Sequence, residues 1–181
     1  MRPGRRGDLA AIIAIYNPYV LETPVTFETD ALRPEDRGEW LDAHLAGGRH
    51  RIVVAEAPGG PLLGWAATSE FMPRAGYATT VQSSVYCRPD AVGRGIGTRL
   101  YASLFRSIAA EDLERIVAGV ALPNPASVAL HERFGFRRVG VFTRIGRKFG
   151  RFIDVAWYER PARGPADGSE AHSIAETSAR M

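Results

Sequence analysis

Apolar residues recur at helical spacing in four stretches of this chain and at strand spacing in six. Residues 8–17 put Leu9, Ile12, Ile13 and Tyr16 on one face behind Asp8, a residue suited to a first turn. Pro18 is expected to disturb the last turn of this helix. Residues 34–46 read as a second helix. Pro34 suits its first turn, Trp40, Leu41, His44 and Leu45 form its apolar side, and Gly47-Gly48 ends it. Between the two, residues 23–29 read as a loop or edge segment. Strands are expected at 52–55, 62–71 and 77–87, with a hairpin turn at 58–61, a possible bulge at Gly64 and a turn at 72–76. Ile96, Leu100, Leu104 and Ile108 mark a central helix over 96–110. A buried strand at 115–122, a helix at 126–134 ending at Gly135, and strands at 136–145 and 152–158 around a 146–150 turn complete the pattern. Two early helices, long hairpins and two late helices indicate an α+β domain.

Composition narrows the picture further. The chain has 181 residues and carries 23 basic against 20 acidic residues, net +3, which is too mild to point to nucleic acid. Lys148 is the single lysine, and Cys87, the single cysteine, excludes an internal disulfide. No apolar run reaches the roughly 18 residues of a membrane span, and no signal-peptide pattern is present, so a cytoplasmic protein is the expectation. There is no internal repeat. A domain over 1–160 and a flexible tail over 161–181, rich in Ala, Ser, Gly, Glu and Arg, are expected.

Gly93, Gly95 and Gly97 alternate just before the central helix. Glycine lets successive N–H groups curl into one concavity, and a helix N-terminus adds a favourable dipole, so the pattern reads as a phosphate cradle. A tight strand-to-helix turn without ligand has the same signature. No Lys follows the glycines, as a Walker loop requires, and the nearby Glu111 and Asp112 close a helix where a dinucleotide fingerprint needs an acid ending a strand. The third option is an acyl-CoA pyrophosphate loop, Arg/Gln-x-x-Gly-x-Gly/Ala, here with Val92 in the first position, Gly95 and Gly97.

Five motifs occur in order: the strand at 77–87, the Gly95/Gly97 loop, Leu122-Pro123-Asn124-Pro125-Ala126-Ser127, Leu130-His131-Glu132-Arg133-Phe134-Gly135-Phe136 and Lys148-Phe149-Gly150-Arg151. Over residues 2–160 the chain resembles the GNAT superfamily of acetyl-CoA-dependent N-acetyltransferases, in particular its phosphinothricin and methionine sulfone (or sulfoximine) acetyltransferase branch. Only Arg2-Pro3 remains of the branch's opening strand, which is expected to be stunted. The resemblance implies a mixed, mostly antiparallel twisted sheet, splayed after the fourth strand and flanked by about four helices. It implies acetyl-CoA as co-substrate, no metal, a small-molecule amine acceptor, no membrane or nucleic-acid partner, and a homodimer. Gly93, Arg94, Gly95, Ile96, Gly97 and Thr98 would hold the pyrophosphate, and the backbone of Val85, Tyr86 and Cys87 the thioester and pantetheine. Asn124 would bond pantetheine, cap its helix, or do both, with Ser127 beside it.

Acetyl transfer needs a neutral amine, a stabilised oxyanion and a proton for the thiolate. In the branch a Glu takes the amine proton; here that position is Gln82, which accepts none. Deprotonation would then run through water helped by Glu28, or through bulk solvent. His131 would be the acid or hydrogen-bond donor to the CoA sulfur. Arg74 would hold an acceptor carboxylate, with Phe27, Tyr77, Ser84 and Lys148 shaping the acceptor site. Cys87 is expected in the core, since the branch transfers acetyl directly. Two rival readings are an acetyltransferase for peptides or polyamines, and an acyl-CoA-binding protein with little catalysis, favoured by Gln82 and Val92.

Overall fold

A computed structural model describes residues 1–163; the expected tail lies, from residue 164 on, outside the described residues. The elements follow as β1 (Arg2–Pro3), α1 (Leu9–Glu22), α2 (Gly38–Leu45), β2 (Ile52–Glu56), β3 (Leu62–Glu70), β4 (Thr80–Cys87), α3 (Ile96–Ser107), β5 (Arg115–Ala121), α4 (Pro125–Arg133), β6 (Arg137–Lys148) and β7 (Arg151–Pro161). They build one seven-stranded sheet in the order β1-β2-β3-β4-β5-β7-β6. All pairings are antiparallel except β4 with β5. The mixed, mostly antiparallel sheet with four helices is the expected fold, down to a first strand of two residues.

One face of the sheet packs on α3. Ile96, Leu100, Tyr101, Leu104 and Phe105 all point inward, and Leu100, Tyr101 and Leu104 expose no surface. The other face is covered by α1 and α2, which bury Ile12, Ile15 and Leu41 against Trp65 and Ala67. Gly64 permits the close approach of β3 to β4 and α3. A Cβ there would sit 2.8 Å from the Tyr86 carbonyl oxygen and 3.1 Å from Leu100 Cδ1. The expected bulge lies beside it: Ala55 pairs with Gly64 but Glu56 pairs with Leu62, so β3 carries one extra residue, Leu63, next to Gly64.

The local rules are overridden in four places. Helix α1 runs through Pro18, because its last turn buries Val20 and is tied to β4 by the Tyr19 hydroxyl, which donates to the Cys87 carbonyl at 2.6 Å. Residues 34–37 form a 3-10 turn before α2 begins at Gly38. Residues 75–77 also form a 3-10 turn, so β4 begins only at Thr80. Strand β6 continues to Lys148, and its turn to β7 shrinks to Phe149 and Gly150, both at positive φ. At the other end, the Ala162 amide still donates to the Glu114 carbonyl, one residue past β7.

The chain start is fastened by charge. The Arg2 guanidinium forks onto Asp8 at 2.7 and 2.9 Å and also reaches Glu56 at 2.9 Å. The Arg5 amide donates to the same Asp8 carboxylate at 2.7 Å. The Arg2 fork holds the Asp8 carboxyl below its ordinary 3.8, against burial, which pulls it up. The stability this supplies is therefore complete above an unfolded value of 3.8 and is lost as pH falls through the lower folded value. Asp8→Asn is expected to cost about 2 kcal/mol at neutral pH and to flatten the fall of thermal midpoint below about pH 4. Thermal melts of both proteins across that range check it; an unchanged acid limb would count against the role of this pair.

Candidate functional site

Strands β4 and β5 pair only at Thr80–Arg115, Val81–Ile116 and Gln82–Val117. Beyond Gln82 they part, and the side of β4 facing β5 has no partner strand among the described residues. This is the expected splay. It opens a cleft of about 530 Å³ lined by Ser83 to Cys87 on one wall and by Gly119, Val120, Ala121, Asn124 and Ser127 on the other. Its floor holds Tyr101 and His131; its mouth holds Val92, Gly93, Gly95, Ile96, Gly97 and Thr98.

The mouth is built as an anion cradle. Gly93 and Gly95 sit at φ of +80° and +70°, a region that disfavours side chains. A Cβ on either would meet no protein atom within 4 Å, so their outward sides face open space. Helix α3 has no side-chain cap, so the N–H groups of its first turn are left for a ligand. These features fit a pyrophosphate. Arg94 is exposed and is not part of the cleft wall. Asn124 caps α4, its Oδ1 accepting from the Ser127 amide at 3.1 Å, and still borders the cleft. The Cys87 carbonyl accepts from the Tyr19 hydroxyl at 2.6 Å, which holds the end of β4 against α1. Burial pushes the Cys87 thiol up to about 11, so it is not a thiolate nucleophile at neutral pH.

His131 is buried, and both ring nitrogens have protein partners. Nδ1 lies 2.7 Å from the Ser127 carbonyl oxygen, which can only accept, so Nδ1 carries the proton. Nε2 then accepts from the Tyr101 hydroxyl at 3.0 Å. Burial lowers the His131 pKa, against the Ser127 carbonyl, which raises it, and favours the neutral ring. A neutral ring so committed has no proton to spare; the one O–H at this contact belongs to Tyr101, and burial raises the pKa of that hydroxyl. Sequence reasoning missed Tyr101 because it falls on the apolar stripe of α3 and reads as core.

A second, smaller pocket of about 150 Å³ lies under α1 and α2. Tyr16, Glu28, Arg37, Trp40, Ser69, Ser84 and Tyr86 line it. Ser84 and Tyr86 line the large cleft as well, so the two spaces meet across one strand. Half-burial pushes the Glu28 carboxyl up, but hydroxyl donors Thr26 and Tyr16, each 2.6 Å away, its own backbone and the Arg37 charge outweigh it and hold it low. It is an anion already supplied with donors.

The remaining expected acceptor residues do not gather here. Arg74 and Tyr77 line a separate recess of about 180 Å³ with Arg49 and Glu70. Gln82 borders none of these three spaces. Phe27 is 41 % exposed and lies over Gly146 of β6. The Lys148 ammonium is buried and donates to the Thr26 carbonyl at 2.8 Å. Lys148 therefore ties the β6–β7 hairpin to the segment carrying Glu28 instead of facing an acceptor. Burial lowers its pKa, and Glu28 opposes this.

No helix among the described residues is long and apolar enough to cross a membrane, and no group of three or more metal-ligating side chains is present among them. The family described as the acetyltransferase (GNAT) domain matches residues 1–157. A protein of Streptomyces coelicolor named phosphinothricin N-acetyltransferase is 52 % identical over 162 residues, 89 % of this chain and 95 % of that protein. An L-methionine sulfoximine/L-methionine sulfone acetyltransferase of Pseudomonas paraeruginosa is 36 % identical over 152 residues, 84 % of this chain and 88 % of that protein. The crystal structure of a phosphinothricin acetyltransferase from Sinorhizobium meliloti in complex with AcCoA superposes with a TM-score of 0.84 at 29 % identity, covering 94 % of this chain and 95 % of that one. The splayed sheet, the glycine cradle at the head of α3 and these relatives agree: the chain belongs to the GNAT acetyltransferase family.

Proposed function

We propose that the protein transfers acetyl from acetyl-CoA directly to the primary amine of a small amino-acid-like acceptor of the phosphinothricin, methionine sulfone or methionine sulfoximine type. The observation that carries this reading is the junction at Ser84 and Tyr86, which line both the long cleft and the small pocket. A thioester lying in the cleft and an amine in the pocket would meet there. The Gly93–Gly95 cradle would take the pyrophosphate, and the unpaired edge of β4 would offer its amides to the pantetheine and the thioester oxygen. The pocket's small volume favours a small acceptor over a protein segment. Its one carboxylate is paired with Arg37, which suits an amino acid better than a polyamine. Arg37 would receive the acceptor's own carboxylate.

The departing thiolate takes its proton from the Tyr101 hydroxyl, and the tyrosine recovers a proton from water in the cleft. In the resting site that hydroxyl donates to His131 Nε2, so it turns from this nitrogen to reach the sulfur and returns to it once reprotonated. A homodimer forms through the β6–β7 hairpin, where Val139, Phe142, Ile145, Phe149 and Phe152 are all exposed.

CoA release from acetyl-CoA tests the reading, with phosphinothricin, methionine sulfone and methionine sulfoximine set against spermine and a short peptide. Saturable release with the amino-acid analogues, and at least about tenfold lower kcat/KM for the controls, is expected. Preference for spermine or the peptide would overturn the acceptor class. Acetyl-CoA binding without release on any amine would leave a binding protein.

A further inference from the structure

Resting on the reading just given, an acceptor ammonium must lose a proton before its nitrogen can attack, and the obvious groups do not take it. Gln82 has no basic atom, and Glu28 already accepts from Tyr16 and Thr26. One side chain of the small pocket is different. Ser69 lies on β3 directly across the ladder from Gln82, on the same face of the sheet, and diagonal to Ser84, which pairs with Ala67. Diagonal neighbours in such a ladder stand about 7–8 Å apart, within the span of a bound primary amine and the thioester carbon it attacks. Behind Ser69, 3.0 Å from its Oγ, is Nε2 of His44 on α2. The other nitrogen, Nδ1, is 2.7 Å from the Trp40 carbonyl oxygen. A carbonyl only accepts, so Nδ1 bears the proton and Nε2 is a lone pair. The Ser69 hydroxyl then donates inward to His44 and turns its own lone pairs to the pocket. The imidazole is 5 % exposed and reaches the pocket only through this serine.

We propose that Ser69 and His44 form a relay that deprotonates the acceptor amine. The ammonium passes one proton to Ser69 Oγ as Ser69 passes its own to His44 Nε2. This leaves a neutral amine, an intact serine and an imidazolium still bonded to Trp40. The amine lone pair forms the N–C bond to the acetyl carbon, the C–S bond breaks, and the second nitrogen proton is matched by the one taken up by the thiolate. His44 returns its proton to solvent before the next turnover. The Trp40 ring, 4.5 Å from the imidazole, favours the transient cation. The other groups around it are His50 at 6.3 Å, which opposes its charge, Arg49 and Glu70 beyond His50, Glu28 and Arg37 across the pocket, and Asp42 on its own helix, paired with Arg6 near the chain start. Ser69 meets the substrate; His44 is the positioning base behind it.

The test is kcat/KM for methionine sulfone from about pH 6 to about pH 10 in the wild type, His44→Gln and Ser69→Ala, with KM for acetyl-CoA alongside. An amine of pKa about 9 is about one part in a hundred neutral at pH 7, so both variants are expected to lose about 30- to 100-fold there. The deficit should close to within about threefold near pH 9.5, where solvent has already freed the amine, with KM for acetyl-CoA unchanged. A loss of the same size at every pH, or none, would overturn the relay while leaving acetyl transfer standing. A wild type that turns over no acceptor at any pH removes both.

Discussion

Tyr101→Ala is expected to lower folding stability by about 3–5 kcal/mol, a large share of the roughly 5–15 kcal/mol that holds a domain together. The residue exposes no surface and is the hub of an aromatic cluster, with ring centroids at 4.8 Å to Phe105, 5.4 Å to His131 and 5.7 Å to Phe134. Truncation leaves a void bounded by rings fixed on α3 and α4 and by the chain after α4, which cannot close in together. It also leaves His131 Nε2 without its donor. Tyr101→Phe separates the two contributions. The ring stays, only the O–H goes, and the cost falls to the roughly 1–3 kcal/mol of an unpaired buried acceptor. The imidazole cannot escape by changing tautomer, because an unprotonated Nδ1 would then face the Ser127 carbonyl. The phenylalanine variant should therefore fold and bind acetyl-CoA, yet turn over at least about tenfold more slowly if the hydroxyl supplies the thiolate proton. Urea midpoints of both variants, with turnover of the second, decide it. An alanine variant as stable as the wild type would remove this cluster as the keystone of the α3 face.

The same residue shows where sequence patterning stops. Helical spacing from Ile96 to Ile108 locates α3 and its buried face, and Tyr101 on that face reads as core. That its hydroxyl meets His131 depends on α4 crossing above it, a contact across 30 residues. The splay is hidden for a like reason: nothing in β4 marks Gln82 as the last residue to pair with β5. Pro18 misleads because a local cost is overruled by Tyr19, bonded to β4, and by the burial of Val20. Lys148 stands out in an arginine-rich chain, and its rarity invites a role at the acceptor. The structure gives another cause, since a slender stem with a compact ammonium reaches the Thr26 and Tyr19 carbonyls. Ser69 and His44 carry no motif at all. They meet only because α2 lies across β3, and Ser69 acquires its neighbour Gln82 only once the ladder register is known.

Gly95→Val is expected to weaken acetyl-CoA binding by about 100-fold or more, beside a cost in folding stability of about 1–3 kcal/mol. Gly95 caps α3 in the left-handed region at φ of +70°, where a β-branched residue costs about 1–3 kcal/mol. The added atoms strike nothing in the protein, since a Cβ at this position has no neighbour within 4 Å. The protein can therefore tolerate the side chain by relaxing the loop, but the relaxation turns away N–H groups that the uncapped first turn of α3 leaves free. Any part of the valine left in place occupies the space of the incoming phosphates. Gly97→Ala is the contrast: its Cβ would press on Leu130 Cδ2 at 3.3 Å, a contact inside the fold, so it should perturb stability more than its backbone angle alone suggests. Calorimetric titration with acetyl-CoA, alongside thermal melts, separates the two variants. If Gly95→Val bound acetyl-CoA as tightly as the wild type, the cradle would be a turn and not a pyrophosphate site, and the co-substrate would have to enter the cleft by another edge.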